Sequence, residues 1–274
     1  MFRSNEPLTN TQLQRYAPSI FATTHHRSSR YAQIPTIEVI DDLRSAGFLP
    51  FAVGQANSRT PDKREIASHL VRLRNVSSAL QEDSHMEILL RNSHDGASQY
   101  KMAMGWFRFV CSNGLVVSDG PTSSVSIRHT GNAKREVVSA AQFLLSQQGE
   151  QVKTLNAMRH LQLTSGEQEV FAAAALVARF GDEPAPITPD AILHSRRSAD
   201  TPADMWTVLN RVQENLVRGG IRYQHPPKVN ERRGRRDQTR AVTAIKANTQ
   251  LNQALWQLAA GMAQLKGADA GVNR

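Results

Sequence analysis

GWFRFVCSNGLVVSDG, residues 105–120, decides how the rest of the chain reads. It holds the only cysteine, one of three tryptophans and an Asn-Gly pair. A nucleophilic thiol needs a neighbouring base and a depressed pKa. No CxxC or papain-like pattern surrounds Cys111. In an alternating strand, Phe107, Phe109 and Cys111 share one face, and Trp106, Arg108 and Val110 share the other. A thiol in line with two phenylalanines is a small core hydrophobe. Asn113-Gly114 then supplies the backbone conformation that a tight hairpin turn requires. The stretch reads as a β-hairpin with a thiol packed inside it, rather than as a redox or nucleophilic site.

Working outward, His69–Arg74 and Met86–Arg91 alternate as strands do, and Asp95-Gly96 marks a turn. Gln99–Met104 returns, Trp106–Cys111 follows, and Val125–Arg128 closes an antiparallel meander. Upstream, Pro35 with Ile37, Ile40 and Leu43 predicts a short helix ended by Gly47. From about residue 133 the spacing turns helical. Val137, Ala141 and Leu144 open a long helix that runs towards His160, with a break near Gly149. Thr164 and Glu167 form a capping-box pattern for a helix ending at Gly181. Thr201-Pro202 reads as the start of a helix carrying Trp206, Leu209, Val212 and Leu216, stopped by Gly219-Gly220. A last helix is predicted from about Asp237 to Leu265. The fold class is therefore α+β: an antiparallel β-meander with a long helix, then a mainly helical C-terminal half. The expected divisions are 1–130 for the N-terminal segment and sheet, 131–266 for the helical region with a basic loop at 222–240, and 267–274 for a flexible tail.

The formal net charge is +9 over 274 residues. Such a balance favours a polyanionic partner, most often nucleic acid. The longest apolar run, Val170–Ala178, is far short of the roughly 20 residues a membrane span needs. With one cysteine and no secretory leader, the expected setting is the cytoplasm. No phosphate-cradling glycine motif appears. Without an HExxH pattern or clustered ligands, no metal or other cofactor is expected, and no catalytic constellation marks an enzyme.

The basic residues concentrate in one region. Arg211, Arg218, Arg222, Lys228, Arg232, Arg233, Arg235, Arg236, Arg240 and Lys246 are opposed only by Glu214, Glu231 and Asp237. Arginine pairs with phosphate through two parallel N–H donors and stacks on bases, so these ten are candidate nucleic-acid contacts. A solvated basic loop is the plainer alternative. On the sheet, Arg72, Arg74, Arg91, Lys101 and Arg108 form a second basic set, beside Trp106 and Tyr100 if one sheet face is open. Cations next to aromatics suit single-stranded DNA, whose bases can stack.

Three stretches carry a resemblance: FRFVCSNGLV (107–116), LNRVQENLVRGG (209–220) and RAVTAIKANTQLNQALW (240–256). With them the chain resembles the phage- and plasmid-borne family of unknown function that includes the prophage YfjQ and YafZ proteins. The resemblance implies a mobile-element setting and no defined chemistry. The order of sheet, then helix, on a basic chain is also similar to phage single-strand annealing proteins, though no annealing motif is present. The expected function is binding of nucleic acid, with single-stranded DNA favoured and annealing by a homo-oligomer included. The alternatives are an accessory or defence-evasion factor that binds a host protein, and, lower still, a DNA-processing enzyme.

Overall fold

A computed structural model describes residues 1–22, 34–56, 64, 66–81, 83–94, 99–108, 114–116, 124–225 and 234–267. The expected hairpin apex with Cys111 and Asn113, Lys228, Arg232, Arg233 and nearly all of the expected tail lie outside these residues. The chain forms two compact units. Unit 1 is Met1–Val110 with Val116–Gly149, and unit 2 is Cys111–Leu115 with Glu150–Arg274. The architecture is α+β, with an antiparallel sheet early and a mainly helical C-terminal region.

Unit 1 is built on a meander. Its strands are β1 (Phe2–Arg3), β2 (Phe48–Gln55), β3 (His69–Asn75), β4 (Leu80–Gln81), β5 (Ser84–Asn92), β6 (Tyr100–Arg108) and β8 (Ser124–Ile127), and the sheet also takes in β7 (Gly114–Val116), of which only Val116 belongs to this unit. The order is β1-β2-β3-β5-β6-β7, with β4 on β5 and β8 on β6. The two segments expected at 99–104 and 106–111 are one strand, β6, because Gly105 continues the pairing opposite Glu87. Pro50 does not prevent β2. A register shift between Pro50 and Ala52 accommodates it, as a bulge does for a residue that cannot donate.

The helices of unit 1 are α1 (Asn10–Tyr16), α2 (Thr36–Ser45) and α3 (Ala133–Ser146). α2 forms where its apolar spacing predicts and buries Val39, Ile40 and Leu43. It packs against β2 and α3, and α3 packs against β6. The register puts Val71, Leu90 and Met102 in one cross-strand row, and Leu73, Ile88 and Met104 in the next. All six are buried, and they form the floor of this core. The neighbouring rows face the other way, and that face is buried too: Leu70, Leu89, Ala103 and Phe107 are at most 8 % exposed. Alternation along a strand reports which residues share a face. It does not report whether the second face is open.

Unit 2 holds α4 (Gln148–His160), α5 (Ser165–Phe180), α6 (Pro189–Leu193), α7 (Met205–Arg218) and α8 (Ile245–Leu265). The first residues of α4, Gln148 and Gly149, still belong to unit 1. The long helix expected towards His160 is two helices, α3 and α4, interrupted at Gln147. α5 begins with the predicted capping box between Thr164 and Glu167. α7 starts later than Thr201-Pro202 suggests. Asp204 is its N-cap, accepting a hydrogen bond from the Thr207 N–H at 2.9 Å. A carboxylate at that position satisfies an otherwise orphaned donor and complements the helix dipole. α8 also starts late, at Ile245, because residues 236–238 form a strand.

α7 is the centre of unit 2. Every residue from Met205 to Val217 is buried. Its polar side chains are tied to their surroundings. Asn215 donates to the carbonyls of Ile192 and His194, and Glu214 accepts from Arg197 at 2.6 Å. The helix ends at Gly219, with φ +63°. A Cβ there would stand 2.6 Å from the Thr239 carbonyl oxygen and 2.7 Å from the Arg240 carbonyl carbon. Both neighbours are backbone, which cannot swing aside. Gly219→Ala is expected to cost roughly 2–3 kcal/mol, from the left-handed conformation and the overlap together. A denaturation midpoint unchanged from the parent protein would contradict this.

Candidate nucleic-acid interface

The segment expected to be a basic loop is bounded by a two-stranded antiparallel ribbon, β9 (Arg222–Gln224) and β10 (Arg236–Gln238). Its pairs are Arg222 with Gln238, Tyr223 with Asp237, and Gln224 with Arg236. The Gly220 N–H donates to the Thr239 carbonyl at 2.8 Å, and the His225 N–H to the Arg235 carbonyl at 2.9 Å, extending the ladder at both ends. The sequence signal was present but short. Arg-Tyr-Gln at 222–224 and Arg-Asp-Gln at 236–238 repeat one R-x-Q alternation, and three residues fall below the length at which period two stands out.

Opposed residues on an antiparallel pair point to the same side. One face of the ribbon therefore carries Arg222, Gln224, Arg236 and Gln238, all exposed. Among the described residues, neither arginine makes an ion pair. The other face carries Tyr223 and Asp237. There, Asp237 accepts from Arg235 at 2.8 Å and lies 3.4 Å from the His225 ring. The Gln238 N–H, then His225 and Arg235, hold the Asp237 carboxyl below its ordinary pKa. Tyr223 packs edge-on to His225, with centroids 5.0 Å apart. So the back of the ribbon is neutralised internally and the front presents unopposed cations. The six strand residues line an open depression of about 560 Å³.

The remaining candidates divide. Arg240 and Lys246 are exposed and form no ion pair among the described residues. Arg218 is half exposed, with Glu214 as its partner at 2.9 Å. Arg235 is exposed and paired with Asp237. Arg211 is corrected: it is 8 % exposed and donates to Ser195 Oγ at 3.3 Å and Gln168 Oε1 at 3.0 Å. It sits on α7, whose whole circumference is covered, so it holds unit 2 together instead of facing solvent. Asn210 and Asn215 are buried with it.

The sheet-borne set is also corrected. Trp106 is 1 % exposed and Tyr100 0 %, so neither ring is open for a base to stack on. Both share the β6 face of Met102 and Met104, in the core of unit 1. Arg108 is 9 % exposed and paired with Asp83 at 3.0 Å. Arg72 is buried at 4 % side-chain exposure, binds Glu87 at 2.5 Å and lies 3.3 Å above the Phe107 ring. Arg74 binds the other oxygen of Glu87 at 2.6 Å. The stripe of cations that alternation suggested is largely an internal ion cluster. Lys101 remains exposed.

A second polar centre was not foreseen. His69, His94 and His129 are distant in sequence yet come together in unit 1. The ring centroids of His69 and His94 are 5.6 Å apart, and those of His94 and His129 are 6.4 Å apart. Thr36 Oγ1 joins them, lying 2.9 Å from His69 Nε2, 3.2 Å from His94 Nε2 and 3.0 Å from the Asn92 amide. Ser19 Oγ is 2.8 Å from His69 Nδ1. With hydroxyls on both ring nitrogens, His69 is a framework residue. Among the described residues, no group of three or more His, Cys, Asp or Glu side chains is arranged to hold a metal ion. No helix among them is long and apolar enough to cross a membrane.

A family model described as a domain of unknown function, DUF932, matches residues 24–256. The chain is 39 % identical over 261 residues to the UPF0380 protein YafZ of Escherichia coli K12, covering 94 % of this chain and 93 % of the relative. The UPF0380 protein YfjQ of the same organism matches with the same identity and coverage. No solved structure matches the chain.

Proposed function

The chain belongs to the DUF932 family, and from that premise and the ribbon's geometry we propose that it binds nucleic acid, with the front of the β9–β10 ribbon as the binding face. The carrying observation is the pair of exposed arginines, Arg222 and Arg236, with no acidic partner among the described residues on a protein of net charge +9. Guanidinium groups held in this way match phosphate in geometry and charge. Arg240 and Lys246 extend the same basic segment. Lys246 lies in the first turn of α8, which contains no acidic residue. A cation there opposes the helix dipole, and a bound polyanion would offset it.

The preference for single strands rested on open aromatics on the sheet, and annealing on the order of sheet and helix alone. With Trp106 and Tyr100 buried, the support moves to unit 2 and to phosphate binding. The test is fluorescence anisotropy with a labelled 20-nucleotide strand and its duplex, each at two salt concentrations. Binding is expected to weaken steeply with salt. Replacing both Arg222 and Arg236 with Gln should weaken it and reduce the slope of log K against log salt by about 2, near 0.9 for each phosphate no longer neutralised. Absence of binding at low salt would overturn the reading. A nuclease-resistant protein partner recovered in its place would direct attention to an acidic protein surface.

A further inference from the structure

We infer that the front of the ribbon reads base edges in the major groove of duplex DNA, an inference that rests on the nucleic-acid reading above. A surface that only neutralises phosphate needs cations. This one alternates arginine with glutamine, Arg222 opposite Gln238 and Gln224 opposite Arg236. Glutamine adds no charge to a phosphate-binding surface. Its amide offers a donor and an acceptor side by side, which suits the N6–N7 edge of adenine, as guanidinium suits the O6–N7 edge of guanine.

The dimensions agree. A major groove about 12 Å wide admits a two-stranded ribbon. Residues two apart on a strand are separated by about 7 Å, and paired strands by about 5 Å. Seven ångströms is about two base-pair steps. The four side chains thus stand at the corners of a small rectangle, with like groups on its diagonals. Each strand offers one arginine and one glutamine to bases two steps apart.

One of the readers is also positioned, and another is free to turn. The Gln224 amide donates one hydrogen bond to the Gly234 carbonyl at 3.2 Å, which orients the group and leaves its Oε1 and second N–H directed elsewhere. The Gln238 side chain makes no hydrogen bond among the described residues. Single-strand recognition would place an aromatic ring among the cations. Here, the only aromatic of the two strands, Tyr223, lies on the opposite face against His225, apart from Arg222 and Arg236.

The experiment is selection by the full chain from duplexes with a randomised 12-base-pair core, then anisotropy on the enriched duplex, a scrambled duplex and the enriched strand alone. An enriched motif with fixed guanine and adenine positions is expected. Arg222→Lys and Arg236→Lys, which keep the charge, should each reduce the preference for the enriched over the scrambled duplex by about 5- to 150-fold. Gln238→Ala should do the same and, because it removes no charge, leave the salt slope unchanged. No enriched motif, equal affinity for the single strand, or a preference untouched by these substitutions would overturn the inference and leave phosphate binding standing. Failure of the parent protein to bind any of the three probes at low salt would overturn both.

Discussion

Replacing Glu87 with Ala is expected to destabilise unit 1 by about 3–5 kcal/mol. Glu87 is fully buried on β5 between two guanidinium groups, Arg72 at 2.5 Å and Arg74 at 2.6 Å. Burial alone would raise its pKa, but the two arginines override this and hold the carboxyl below its ordinary value. Arg72 bears the cost of the arrangement. Burial lowers its pKa to about 10 against the opposing pull of Glu87. Its Nη1 is buried without a hydrogen-bond partner among the described residues. Without Glu87, Arg72 would be a buried charge with only the face of Phe107 to receive it. Arg74, a quarter exposed, can turn to solvent. The loss should therefore come from Arg72 and be repaired there. Arg72→Met combined with Glu87→Leu should recover most of the stability lost by Glu87→Ala, because the buried guanidinium that loses its partner is then removed with it. Urea titration with hydrogen exchange read on β3, β5 and β6 peptides measures both. A single substitution costing under 1 kcal/mol would show that the cluster is hydrated.

The second large effect is on pH dependence. His69 is fully buried, and its pKa falls from 6.5 to about 3, through burial first and the nearby His94 second. The folded state therefore refuses a proton that the unfolded chain accepts. Above pH 6.5 both forms are neutral and His69 adds no pH dependence. Between pH 6.5 and about 3 only the unfolded chain is protonated, so stability falls as pH falls, by about 1.4 kcal/mol per unit. Roughly 3 kcal/mol is expected to be lost by pH 4. Below pH 3 both states carry the proton and the slope ends. His69→Gln keeps a neutral polar group near Ser19 and Thr36 and should remove this slope, whatever it costs at pH 7. An acid limb of equal steepness in parent and variant would assign the effect to other groups.

Several elements were legible because they depend on neighbours in sequence. The strands around Asp95-Gly96 follow from alternation, α2 from the spacing of Ile37, Ile40 and Leu43, and the start of α5 from the Thr164–Glu167 capping box. The charge excess at 211–246 was equally plain. The Arg-Tyr-Gln and Arg-Asp-Gln arms were overlooked because each strand has three residues and its partner lies 14 positions away. The histidine centre was overlooked because its members come from β3, the segment after β5 and the segment after β8, with no spacing motif to join them.

The amino-acid sequence by itself determined the α+β class, the antiparallel run of β3, β5 and β6, most helix positions and the net charge, since these arise from local periodicity, capping and composition. Tertiary structure alone decided which charges and rings face solvent. Arg72 and Arg108 are neutralised by Glu87 and Asp83, 15 and 25 residues away, and Trp106 is enclosed in the core with Met86, Met102 and Met104. Arg222 and Arg236 stay available because the one acid of their ribbon, Asp237, points to the other face and is taken by Arg235 and His225. Burial and charge pairing are properties of the surfaces that come together, and a linear pattern specifies a face without naming what will cover it.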